Sequence, residues 1–164
     1  MLKILIPTDG SEPALLAVHH ALLLVNHGLQ ASFVVANVQD TATLYEMVVA
    51  HDPDVLQAVN EGAGQDLMRP AVALLEAAGQ AVVQDVATGD PAQMLVEVAE
   101  RHGCDAIILS ARGTGSLRAA VMGSVSHELL HSSPVPVTVV KAVEAAEEEQ
   151  DEPEEPDEQG DQGA

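Results

Sequence analysis

Tryptophan is absent from this 164-residue chain, and Phe33 and Tyr45 are its only aromatic residues. So few rings leave no platform on which bases could stack, which argues against recognition of single-stranded nucleic acid by stacking. Basic residues are also scarce: six Lys and Arg stand against 26 Asp and Glu, for a net charge of -20. Phosphate backbones and anionic membrane surfaces would both be repelled, so neither nucleic acid nor a membrane is an expected partner. The single cysteine, Cys104, leaves no internal disulfide and fits a reducing compartment. There is no apolar run of about 18 residues to span a bilayer. Pro7, Asp9 and Glu12 interrupt the N-terminus before a secretory apolar stretch can develop. These absences predict a cytoplasmic protein.

What is abundant is Ala, Val and Leu, and a chain of this length can bury a sizeable aliphatic core in one domain. Apolar runs suited to buried strands occur at Leu2 to Pro7, Ser32 to Val38, Ala81 to Ala87, Ala106 to Ser110 and Val137 to Val140, with helical stretches between them. That alternation predicts an α/β fold with a parallel sheet and helices on both faces. Three helices are expected to stop at Gly28, Gly79 and Gly103, because glycine takes the left-handed C-terminal cap at little steric cost. Ser11 before Glu12-Pro13, and Asp90 before Pro91 with Gln93 completing a capping box, mark two helix starts. Thr41 to Gly64 is less regular, with Asp52-Pro53-Asp54 and Glu61-Gly62-Ala63-Gly64, and predicts a mobile flap beside the ligand cleft. No second copy of these features is present, so a single unit is expected.

Between the runs ending at Ser110 and beginning at Val135 lies Ser-Ala-Arg-Gly-Thr-Gly-Ser-Leu-Arg-Ala-Ala-Val-Met-Gly-Ser-Val, residues 110 to 125. Gly113 is followed by Gly123-Ser124 directly before a helical segment, so bare backbone N–H groups and a hydroxyl collect where a helix begins. The first N–H groups of a helix lack intrahelical partners and the dipole adds positive potential there, which suits a phosphate without Lys or Arg. In an open parallel sheet the ligand cleft lies beyond the carboxyl ends of the strands, where connections diverge. Asp9, Val38 and Ser110 fall at or near such ends and are expected to converge with the glycine loop. Taken alone, Asp9-Gly10-Ser11 reads as a tight turn and cap. Gly113 and Gly115 alone read as a flexible connection, and Gly123-Ser124 as a structural helix start. Arg112 and Arg118 flank the loop in a supporting role at most.

The glycine segment resembles the signature of the universal stress protein family, Gly-x2-Gly-x9-Gly-Ser/Thr, here Ser110-x2-Gly113-x9-Gly123-Ser124 with serine at the first position. The resemblance extends over residues 1 to 141. It includes Ile-Leu-Ile-Pro-Thr-Asp-Gly-Ser-Glu (4 to 12), Gly89-Asp90-Pro91 and Pro-Val-Pro-Val-Thr-Val-Val-Lys (134 to 141). It implies a doubly wound open parallel five-stranded sheet of strand order 3-2-1-4-5. It also implies a site for ATP, accompanied by Mg2+, or for a related adenine nucleotide. Carried over residue by residue, it puts Pro7, Thr8 and Asp9 beside the nucleoside and the Val38 backbone against adenine. Gly113, Gly123, Ser124 and Val125 would surround the phosphates, with Ser110 at the cleft mouth, where it adds a Cβ and a hydroxyl to the family's first glycine. The implied role is regulatory, in the stress response, with no dedicated catalytic apparatus and slow hydrolysis left open. The family commonly dimerises through its last strand, so a homodimer is expected there. A stress-protein dimer that binds no nucleotide is the second reading.

A competing motif is His127-Glu128-Leu129-Leu130-His131, which matches the zinc-hydrolase pattern His-Glu-x-x-His. A hydrolase needs a third ligand on an ordered element, and downstream only Glu144 and the tail acids are offered. The pattern is therefore set aside as coincidence. His19, His20, His27, His51 and His102 show no ligand spacing, and no nucleophile–base–acid arrangement can be read. A phosphoacceptor receiver is a poor match, because Asp9 has no neighbouring acid. Beyond Lys141 the composition changes: residues 142 to 164 hold eleven acidic residues and no basic one, with Pro153, Pro156, Gly160 and Gly163 among them. Such a segment cannot repay its ordering entropy and is expected to be a disordered, solubilising tail.

Overall fold

The computed structural model describes residues 1–41, 53–112 and 122–142. The elements run β1 (Leu2–Pro7), α1 (Leu15–Asn26), β2 (Ala31–Gln39), α2 (Pro53–Ala77), β3 (Val82–Thr88), α3 (Pro91–His102), β4 (Ala106–Ser110), α4 (Ser124–Ser132) and β5 (Val137–Val140). The five strands form one parallel sheet in the order β3-β2-β1-β4-β5, as expected. Each strand is found within a residue or two of its apolar run.

Because successive residues of a strand face opposite sides, each central strand feeds two cores. Ile4 and Ile6, Phe33 and Val35, and Ile108 pack with Ala17, Val18, Met68 and Leu75 of α1 and α2. Leu5, Val34 and Ala36, and Ile107 and Leu109, pack with Leu95 and Val98 of α3 and Leu129 of α4. Phe33 is the one aromatic side chain in these cores, and aliphatic packing supplies the rest. Cys104 is buried just before β4, and burial pushes its thiol pKa up, partly offset by Lys3. It is a small core side chain with little thiolate character.

Helix ends follow local chemistry in most places. Gly103 closes α3 in the left-handed conformation at φ 62, and Lys3 Nζ donates to the His102 carbonyl at 2.8 Å, placing a cation at the negative end of the dipole. Asp90 caps α3 by accepting the Gln93 N–H at 3.0 Å. The capping box is only half formed, because the Gln93 side chain reaches forward to Glu97. Ser11 does not begin α1 directly. A turn of i to i+3 bonds from Ser11 to Ala17 comes first, and α1 starts at Leu15.

The expected irregular stretch from Thr41 to Gly64 is corrected over its second half. Residues 53–64 belong to α2, a 25-residue helix that also accommodates Pro70. The missing N–H of Pro70 is offset by the burial of Met68, Ala71, Val72 and Leu75 around it. Gly64 is there for close approach rather than flexibility: a Cβ on it would sit 2.6 Å from Val86 Cγ1. The first half of the expected flap, residues 42–52, lies outside the described residues. Among the described residues, no helix is long and apolar enough to cross a membrane.

Candidate functional site

The chain turns one way from β1 to β2 and β3, then crosses over to β4 and β5 on the other side. The crevice that this reversal opens lies between the carboxyl ends of β1 and β4. Extending the register places Thr8 between Asn37 on one side and Ser110 on the other. The carboxyl ends of β1, β2 and β4 thus lie side by side.

On the β1 side, the turn is held by its own polar groups. Thr8 is buried; its N–H donates to the Ala36 carbonyl at 2.9 Å and its carbonyl accepts from Asn37 Nδ2 at 2.8 Å. Gly10 N–H donates to Thr8 Oγ1 at 3.2 Å, and Asp9 Oδ1 accepts both the Ser11 N–H at 3.0 Å and the Ser11 hydroxyl at 2.5 Å. Gly10 has φ 80, and a Cβ on it would meet Leu67 Cδ2 at 2.5 Å. Left-handed geometry and the close passage of α2 both demand glycine there. Pro7 ends β1 immediately before this turn.

Val38 lies one residue past Asn37 on β2. Phe33 N–H bonds to Ala81 and the Gln39 carbonyl to Gly89 on the β3 side, whereas the Ala36 carbonyl serves Thr8 on the β1 side. Alternation along the strand therefore turns the Val38 peptide groups toward β1, beyond the point where β1 has ended. Its side chain packs on the α3 and α4 core. The backbone of Val38 borders the crevice.

On the β4 side, Ser110 is buried, and its Oγ accepts the Arg112 N–H at 3.4 Å, a long bond. The Ser110 carbonyl accepts from Ser126 Oγ at 3.0 Å, and the Ala111 carbonyl accepts the Gly123 N–H at 2.8 Å. These two bonds tie the start of α4 to the end of β4 and close the base of the loop between them. Gly123 is the N-cap of α4 at φ -62 and ψ 154, with no capping side chain, and its carbonyl accepts the His127 N–H at 3.0 Å. Ser124 is exposed and Val125 half-buried in the first turn, where backbone N–H groups have no intrahelical acceptor. Gly113, Gly115 and Arg118 lie outside the described residues.

Two residues at this end were missed from the sequence. Asn37 is buried, donates to Thr8, and accepts from Gln39 Nε2 at 2.5 Å, so it pins the first loop to β2. An amide inside the apolar run Phe33 to Val38 was the available signal, since buried polar groups must be satisfied. Gly64 beside it was taken for flexibility. Elsewhere, Asp85 pairs with Arg101 at 2.9 Å and His102 at 2.7 Å, fastening α3 to β3 away from the crevice. Among the described residues, no group of three or more potential metal ligands comes together.

Comparison with known proteins adds an independent line of support. A profile described as the universal stress protein family matches residues 1–141. The chain belongs to the universal stress protein family. Universal stress protein MJ0531 of Methanocaldococcus jannaschii is 27% identical over 139 residues, covering 85% of this chain and 81% of the relative. The solved structure of MJ0577 from the same organism superimposes with a TM-score of 0.71 at 29% identity, over 88% of this chain and 98% of that one. A universal stress protein from Arabidopsis thaliana, solved with AMP bound, shares the fold at a TM-score of 0.61 and 15% identity, over 86% of this chain and 92% of that one.

Proposed function

We propose that this universal stress protein binds ATP or a related adenine nucleotide in the crevice between β1 and β4. The observation that carries the reading is the N-terminus of α4. Gly123 has a φ open to any residue, and a Cβ would lie 3.4 Å from the Ala111 carbonyl, an ordinary contact. Among the described residues nothing requires glycine there; an anion approaching the backbone would. Ser124 and Val125 follow with N–H groups suited to phosphate oxygens, and the Val38 peptide faces the same opening. Pro7, Thr8 and Asp9 would then border the nucleoside. Mg2+ would enter with the triphosphate, held mainly by phosphate and water. The AMP-bound plant relative is similar in fold alone, so for this chain the support is its own geometry.

The role that fits is regulatory. Nucleotide occupancy would act by favouring one conformational state of the protein over another. Calorimetric titration of the purified protein with ATP and Mg2+ tests the reading, together with mass spectrometry of any nucleotide released on denaturation. Ser110→Gly bears on the cleft mouth. Because Ser110 is buried and its hydroxyl accepts from Arg112, the variant is expected to bind ATP with affinity close to the parent's. Tighter binding would instead identify the Ser110 Cβ as an obstruction.

The same reading makes the protein a cytoplasmic homodimer joined through β5, with residues 142–164 as an acidic solubilising tail. Among the described residues, β5 pairs only with β4. The carbonyls of Pro136 and Val140 accept from Ile107 and Ala111, so alternation turns the peptide groups of Val137 and Val139 to the open edge. Val139→Pro would remove one outward N–H while leaving the β4 ladder whole. Analytical ultracentrifugation is expected to show a dimer for the parent and a shift to monomer for this variant. A parent that sediments as a monomer would remove the interface from consideration.

A further inference from the structure

The hydrolase pattern set aside in the sequence keeps its two histidines together in the fold. His127 and His131 are both exposed on α4, whereas Ser126 and Leu129 are buried against the sheet. Their ring centroids are 4.9 Å apart with the planes tilted by 58°. No hydrogen bond or ion pair engages either ring among the described residues. We propose that these two side chains form a two-histidine chelate for a zinc-class divalent cation on the solvent face of α4. The proposal does not rest on nucleotide binding.

Four considerations converge on it. Residues four apart share one face of a helix, so both imidazoles present nitrogen donors to the same volume of solvent. With Zn–N bonds of about 2.0–2.1 Å, two imidazoles on one tetrahedral ion have centroids about 5 Å apart, and the 4.9 Å separation of this pair matches that distance. Imidazole prefers Zn2+, Ni2+ or Cu2+ to Mg2+ or Ca2+. His131 lies in the last turn of α4, where the negative end of the helix dipole favours a cation, and the chain's charge of -20 concentrates cations near its surface.

A zinc hydrolase would need a third protein ligand beside the two histidines. Among the described residues no third ligand joins the pair, and with two protein ligands water would complete the coordination and the metal would exchange readily. Reversible capture of a borderline metal is the function that this pair can perform.

The test uses full-length protein and Zn2+ alone, with Mg2+ as control because the acidic tail attracts hard cations. Titration of the parent is expected to show one site that His127→Ala and His131→Ala each weaken by about tenfold or more, given that even outer-shell partners of metal sites are worth 10–100-fold. Both positions are exposed, so the variants should fold, and circular dichroism checks this. In NMR spectra the ring signals of His127 and His131 are expected to shift together on Zn2+ addition and to ignore Mg2+. An unchanged Zn2+ titration in the double alanine variant would overturn the proposal. So would ring shifts confined to other histidines, or an equal response to Mg2+.

Discussion

Gly123→Val is expected to abolish measurable ATP binding while leaving the protein folded. The two halves of that result have separate causes. The backbone of Gly123 is extended, at φ -62 and ψ 154, a conformation that valine adopts readily, and among the described residues the position of its Cβ is clear of severe overlap. Exchanging glycine for an apolar residue at an N-cap costs about 1 kcal/mol or less, so the melting temperature should fall by a few degrees only. Binding is another matter, because a phosphate must come within hydrogen-bond distance of the N–H groups of Ser124 and Val125. The isopropyl group of valine would stand across that approach. Each charge-assisted bond lost is worth about 1.5–3 kcal/mol, and two such bonds would weaken the affinity by roughly a hundredfold or more. Calorimetry with ATP and Mg2+ reads the loss directly, and a thermal melt verifies the fold. Parent-like affinity in a folded variant would move the nucleotide away from the N-terminus of α4.

Much of this was legible before any coordinates, for a physical reason. Buried parallel strands are apolar on both faces, so Leu2–Pro7 and Ala106–Ser110 stand out in the sequence without periodicity analysis. Gly103 and Asp90 act within a few residues of themselves, which is why helix ends could be read locally. What failed required distant partners. Glu61-Gly62-Ala63-Gly64 looks like a breaker in isolation, since glycine costs a helix about 1 kcal/mol per residue relative to alanine. Only the nearness of Val86 and Asn37 across the sheet explains why the helix runs through it. Asn37 was passed over for the same reason: Thr8, whose carbonyl it holds, is brought beside it by the pairing of β1 with β2. Of the proposed phosphate contacts, Gly123, Ser124 and Val125 stand at the start of α4, while Gly113 falls outside the described residues.

Gly64→Ala is the second substitution from which a large effect is expected, and it tests how α2 is held over the sheet. The added Cβ would lie 2.6 Å from Val86 Cγ1, 2.8 Å from Val86 Cγ2 and 3.2 Å from Asn37 Oδ1. Valine is stiff at χ1 and fixed on β3, so neither methyl can swing aside cheaply. In an exposed helix the change to alanine would stabilise by about 1 kcal/mol. Here overpacking should dominate and destabilise by about 1–3 kcal/mol. Relief is available by trimming the neighbour: Gly64→Ala combined with Val86→Ala is expected to recover part of the loss, because the two side chains compete for one volume and their effects cannot add. Urea denaturation of the parent, both single variants and the double variant measures this coupling. The clash also bears on the crevice, since Asn37 holds the Thr8 carbonyl and lies against the same glycine. Pushing α2 outward should loosen that bond and lower ATP affinity in the single variant, with affinity returning in the double. Additive stabilities, or a Gly64→Ala protein more stable than the parent, would mean that α2 does not close on β3 at Val86.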